Sequence, residues 1–173
     1  MINDTYWREG ILPILGTAIL WGFGYFTVKF VLGDISPFML TFAGSLIGSL
    51  YLFFTARLKL AKLSRLVAKQ PGIYFIHSFA GVPVATTLML FGLETVDLGV
   101  ATLLGNLYMV FTPFLARAFL GETMKPNWIP FALLAIGSAY FIASPEPFAL
   151  EQSDTNWTGI FAILGAAFFW SVS

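Results

Sequence analysis

The stretch GILPILGTAILWG, Gly10 to Gly22, returns near the other end of the chain as GIFAILGAAFFWS, Gly159 to Ser171. Gly10, Ile11, Ile14, Leu15, Gly16, Ala18 and Trp21 meet Gly159, Ile160, Ile163, Leu164, Gly165, Ala167 and Trp170 at a constant offset of 149 residues. Each copy opens an apolar run. Repetition at so long a period in so apolar a chain predicts two homologous membrane-embedded halves, the first complete and the second represented only by its opening helix.

Composition narrows the class. The chain is 58% hydrophobic and 10% charged, with 19 Phe among 173 residues. A soluble domain of that composition would expose large hydrocarbon patches, so an all-α integral membrane protein is expected. The chain has no cysteine, which removes disulfides, thiolate metal sites and thiol nucleophiles. Asp4 and Glu9 offset Arg8 ahead of the first apolar run, and no small-residue cleavage pattern follows it, so the first helix is expected to be retained.

Apolar runs predict five transmembrane helices plus the start of a sixth: Ile11 to Leu32, Pro37 to Ala56, Pro71 to Leu93, Leu98 to Leu120, Asn127 to Ala143, and Trp157 to Ser173. Each approaches the roughly 30 Å of a hydrocarbon core at about 1.5 Å per residue. The implied organisation is a first five-helix repeat over residues 1–143, a polar linker over 144–156, and a truncated first helix of the second repeat over 157–173.

Charge sets the orientation. The connection after the second span carries Arg57, Lys59, Lys62, Arg65 and Lys69 and no acid, which places it in the cytoplasm. Alternation from there puts the N-terminus, Arg8, Arg117 and Lys125 in the cytoplasm as well. Lys29 and the linker then fall outside. Five helices separate the two copies, so the copies enter the membrane from opposite sides. Related bundles of opposite orientation exchange inward-open and outward-open states about an axis in the membrane plane, the geometry of alternating access.

Two segments carry a family resemblance. WGFGYFTVKFVLGDISPF, Trp21 to Phe38, resembles the first helix and turn of the EamA-like transporters of the drug/metabolite transporter superfamily, with the Trp-Gly pair, Lys29 eight positions after Trp21, and Ser36-Pro37 opening the second helix. ATLLGNLYMVFTPFLARAFLGETM, Ala101 to Met124, is similar to that family's fourth helix, with Pro113 and the closing Leu120-Gly121-Glu122. The resemblance implies ten helices in two inverted five-helix repeats, and movement of small metabolites across a bacterial inner (plasma) membrane. The implied partners are a small-molecule substrate, the lipid bilayer, and a second EamA-like repeat supplied by a C-terminal continuation or another chain. Where the family often carries an Arg in the second helix, this chain has Gly44.

Helical spacing sorts faces at about 100° per residue. In the first helix Leu12, Ile19, Phe23, Phe26 and Phe30 share a lipid-facing side, opposed by Thr17, Trp21 and Gly24 with Tyr25 beside them. In the fourth, Leu103, Leu107, Val110 and Phe114 form a lipid stripe opposed by Thr102, Gly105, Met109, Thr112 and Ala116, with Asn106 at the border. Gly44 and Gly48 read as a close helix contact, and Trp7, Trp128 and Trp157 as interfacial anchors. Pro83 and Pro113 predict kinks.

The expected substrate cavity is lined by Trp21, Tyr25, His77, Asn106, Tyr108 and Trp170. Trp21 and Trp170 are deep and occupy equivalent repeat positions. Asn106 and Tyr108 place hydrogen-bonding groups in mid-span, where they need a partner. His77 enters as the one side chain that titrates near neutrality. Lys29 has two readings, snorkelling to the outer interface or binding an anionic substrate.

No carboxylate pair lies within a span, no His/Cys/Asp/Glu group has metal-ligand spacing, and no phosphate-cradling GxxxxGK occurs. No enzyme activity, metal, cofactor or nucleic-acid partner is expected. The leading functional expectation is a secondary transporter of small metabolites, amino-acid-like or drug-like. The alternatives are a half-size homodimer resembling the small multidrug resistance proteins, which rely on an acid in the first helix that this chain lacks, and a membrane assembly protein without transport.

Overall fold

The structure, a computed structural model, describes residues 10–55, 60–124, 128–143 and 156–173, with side chains apart from those of 60–62 and 142–143. Trp7, Arg8, Arg57, Lys59, Lys125 and all of the 144–156 linker except Asn156 lie outside them. Among the described residues the fold is helical, with α1 at Leu12–Val31, α2 at Pro37–Thr55, α3 at Leu60–Lys69 and α4 at Pro71–Thr95. There follow α5 at Leu98–Gly105, α6 at Tyr108–Leu120, α7 at Trp128–Ala143 and α8 at Trp157–Val172. α1, α2, α4 and the α5–α6 pair are each long and apolar enough to cross a bilayer; α7 and α8 are shorter apolar helices.

Local chemistry fixes the breaks. Between α1 and α2 Gly33 adopts φ +107°, a backbone region that glycine enters without a Cβ penalty, and the amides of Asp34 and Ile35 fold back onto the Val31 carbonyl. Asp97 caps α5 by accepting from the amides of Gly99 and Val100, and Asn156 caps α8 by accepting from Gly159. α6 ends in left-handed Gly121, whose N–H returns to the Arg117 carbonyl.

The two prolines act differently. Around Pro83, α4 widens into a π-helical stretch over Ile76–Val84, where Ala85 N–H reaches back five residues to Ala80 O. Pro has no N–H and its ring crowds the carbonyl of the preceding turn; the wider turn accommodates both. Upstream of Pro113 the fourth span does not run through as one helix. It tightens at Asn106-Leu107, where Leu107, Met109 and Val110 amides bond three residues back.

That tight turn changes the helical phase, and the expected lipid stripe is corrected by it. Leu107 and Val110 are buried in the core, while Met109, expected inside, is exposed. A residue in a three-per-turn segment rotates about 120° rather than 100°, so spacing carried straight through the break assigns the wrong face. The α1 assignment shifts as well. The side turned to the protein carries Ala18, Trp21, Tyr25, Val28 and Leu32, rather than Thr17 and Gly24. Its phenylalanine face is exposed, as lipid contact requires.

α8 occupies the centre. Ile163, Ala166 and Ala167 are fully buried, against Ala85, Met89 and Leu93 of α4. Close approach is possible because small residues face one another: a Cβ on Gly92 would strike Ile163, and one on Gly159 would strike Thr95 and Val96. Gly81 is crowded in the same way by Ser173. Gly92 near the end of α4 meets the start of α8, and Gly81, further back along α4, meets the end of α8, so the two helices are antiparallel. α1 ends beside the end of α4, so α1 and α8, which carry the two copies of the repeated stretch, also run in opposite directions.

The remaining helices pack around this centre. α2 joins α4 through a hydrogen bond from the Thr87 hydroxyl to Thr41 Oγ1 at 3.1 Å and an edge-on Phe38–Phe91 contact at 5.4 Å. α7 covers the α5–α6 pair, with Trp128 edge-on to Phe114 at 4.9 Å. The expected close contact at Gly44 and Gly48 is not present: no described atom comes within 4 Å of a Cβ placed at either.

Candidate functional site

A cleft of about 230 Å³ lies where α1, α4, the α5–α6 turn and α8 converge. From α1, Ala18, Trp21, Gly22 and Tyr25 face it, a spacing that keeps them on one side of the helix. The opposite wall combines Asn106 and Tyr108 from the α5–α6 turn with Trp170 of α8, and Met89 of α4 forms part of the lining.

Aromatic rings define its shape. Trp21 and Trp170 sit with centroids 6.5 Å apart at 34°, Tyr108 meets Trp170 edge-on at 6.5 Å, and Tyr25 lies 6.3 Å from Trp21. Gly105 sits against them: a Cβ there would stand 3.4 Å from Met89 Cε and 3.8 Å from the Trp170 ring, ordinary van der Waals contact. Trp21 is 59% exposed and Asn106 is also exposed, so the cleft is open rather than sealed.

The break between α5 and α6 produces the polar wall. Because the helix stops at Gly105, Asn106 sits at a helix end, and it joins the lining. The Ser171 hydroxyl bridges to the Tyr108 carbonyl at 3.0 Å and to Ala167 O at 2.7 Å, which ties the turn to α8. Thr102 also lines the cleft, its hydroxyl donating to Leu98 O at 2.7 Å. Among the described residues the lining has no charged side chain. Its chemistry is that of apolar and aromatic surface with a few hydrogen-bonding groups, the usual constitution of a small-molecule pocket.

Of the residues assigned to the cavity from sequence, Trp21, Tyr25, Asn106, Tyr108 and Trp170 meet here. His77 does not. It lies on the π-helical stretch of α4, where Nδ1 is 3.0 Å from the carbonyl of Ser173, at the far end of α8 from its entry. Lys29, at the end of α1, reaches the end of α4. Its ammonium donates to the carbonyl oxygens of Leu93 and, at 2.9 Å, Val96 at the end of α4. A cation there meets carbonyls without intrahelical partners and the negative end of the helix dipole. Met89 also lines the cleft, on a span for which the sequence reading assigned no face.

The sequence profile of the EamA-like transporter family matches residues 8–144, and the chain belongs to that family. It is thus an integral membrane protein of a transporter family in the drug/metabolite superfamily, which is not a family of enzymes. No curated protein and no solved structure matches the chain. The matched stretch takes in α1 through α7 and stops before α8.

Proposed function

We propose that the chain is the first five-helix repeat, with the opening helix of the second, of a secondary transporter that moves small amino-acid-like or drug-like metabolites by alternating access. The observation that carries this reading is the cleft shared by the two copies of the repeated stretch, with Trp21 on α1 and Trp170 on antiparallel α8 lining one space. A substrate held between elements of opposite orientation is offered to either side as they exchange arrangements. Rings at this spacing suit a flat or apolar solute, and Asn106, Thr102 and Tyr108 supply the few polar groups that orient it. The second bundle comes from further chain or from another copy, and the positive-inside bias puts the α2–α4 connection in the cytoplasm.

The test is flux in the complete transporter. Trp21→Ala and Asn106→Ala each reduce substrate flux at least tenfold at unchanged membrane abundance, whereas Phe23→Ala, on the exposed face, leaves it within a factor of two. Losses proportional to lost protein would reduce these residues to packing.

A further inference from the structure

The charged connection between α2 and α4 contains a helix of its own. α3 spans Leu60–Lys69, and spacing at about 100° per residue puts Arg65 and Lys69 about 40° apart while Leu63, Leu66 and Val67 fall in a separate arc of about 100°. Leu63, Leu66 and Val67 are 38%, 41% and 37% exposed, an apolar edge left partly uncovered. Arg65 and Lys69 are exposed as well. A short helix with apolar residues on one side and cations on the other is amphipathic, and it is too polar to cross a membrane.

Its placement decides what covers it. Gln70, at φ −141° and ψ 58°, breaks the helix, and Pro71 starts the next one as the first residue of an apolar span. α3 is therefore joined with no spacer to the point where the chain enters the hydrocarbon, at the depth of lipid headgroups. From the geometry and charge we propose that α3 lies flat in the membrane interface, its Leu63–Leu66–Val67 edge among acyl chains and its basic side bound to anionic phospholipid headgroups. The whole connection supports that partner, since Arg57, Lys59, Lys62, Arg65 and Lys69 are unopposed by any acid between Arg57 and Gln70. Polybasic segments beside a span are drawn to an anionic leaflet at about 1 kcal/mol per basic residue, which is roughly fivefold each.

The chain lacks cysteine, so a single introduced cysteine is the sole labelling site. A nitroxide is placed at Leu66→Cys or Arg65→Cys in protein reconstituted into vesicles of phosphatidylcholine with phosphatidylglycerol, and its collisions with oxygen and with a water-soluble nickel chelate are compared. The expected result is oxygen-dominated relaxation at Leu66 and chelate-dominated relaxation at Arg65. The contrast shrinks at least threefold in pure phosphatidylcholine, and likewise when Lys62→Gln and Lys69→Gln are added to the Leu66→Cys protein in the mixed vesicles. Equal chelate access at both sites in the mixed vesicles overturns the interfacial placement. Shielding of Leu66 from both reagents shows a protein segment covering the helix and overturns it too. An identical contrast in both lipid mixtures overturns the headgroup assignment.

Discussion

Trp21 and Trp170, 149 positions apart in sequence and at matching places in two copies of one motif, hold their indole rings 6.5 Å apart at the edge of a single cleft. The pairing links repetition in the chain to proximity in space. It also makes α8 part of the wall and not an appendage, since the same helix buries Ile163, Ala166 and Ala167 at the centre of the bundle.

The α4–α8 contact depends on glycine at particular points. A Cβ on Gly92 would strike the Ile163 side chain and approach the Gly159 carbonyl to 2.9 Å, whereas one on Gly44 meets no described atom within 4 Å. Gly92→Ala is expected to destabilise the protein by about 1–3 kcal/mol, the usual cost of overpacking. Gly44→Ala is expected to be neutral or slightly stabilising. Melting midpoints of the two variants in detergent test the difference, and equal midpoints would refute the packing assignment.

Lys29 fastens the end of α1 to the end of α4. Lys29→Met removes the donor to the Leu93 and Val96 carbonyls. The expected loss is about 1.5 kcal/mol, the lower end for a hydrogen bond to a charged group, together with faster proteolysis in the Leu32–Ser36 turn. An unchanged melting midpoint would show that the ammonium contributes nothing there.

His77 stands apart from the cleft. His77→Gln is therefore expected to leave the pH profile of substrate flux unchanged, since glutamine can still donate to the Ser173 carbonyl. A displaced profile between pH 5 and 8 would give His77 a part in transport.

Thr41 and Thr87 join α2 to α4 across the bundle. Thr41→Ala is expected to cost about 0.6 kcal/mol, the average for an interhelical side-chain hydrogen bond in a membrane protein. Thr41→Ser, which keeps the hydroxyl, should recover most of the lost melting temperature.

Orientation is open to a direct test. Reporters fused at Leu63 and Gln152 should report opposite sides of the membrane, the first cytoplasmic, as the placement of basic residues requires. Both on one side, or each on both sides in equal amounts, would overturn the inverted arrangement.

Much of this protein is written in its composition. Runs of about twenty apolar residues force helices, because a backbone in hydrocarbon must satisfy its own hydrogen bonds. The lipid-facing phenylalanines of α1 follow from uninterrupted 100° spacing, and Trp21 was legible as a cleft residue because its motif recurs at Trp170. Local spacing misplaced Thr17 and Gly24 even in regular α1, and it failed again where the backbone left the regular helix. The tight turn at Asn106-Leu107 changed the phase of the fourth span, burying Leu107 and Val110 and exposing Met109. Lys29 and His77 found carbonyl partners 64 to 96 positions away, which no nearby residue announces. Gly44 and Gly92 look alike in sequence, yet a Cβ fits at the first and collides with Ile163 at the second. Sequence determined which segments enter the membrane, because solvation acts on each residue where it stands; the tertiary structure alone decided which faces meet, because packing depends on phase and on partners far along the chain.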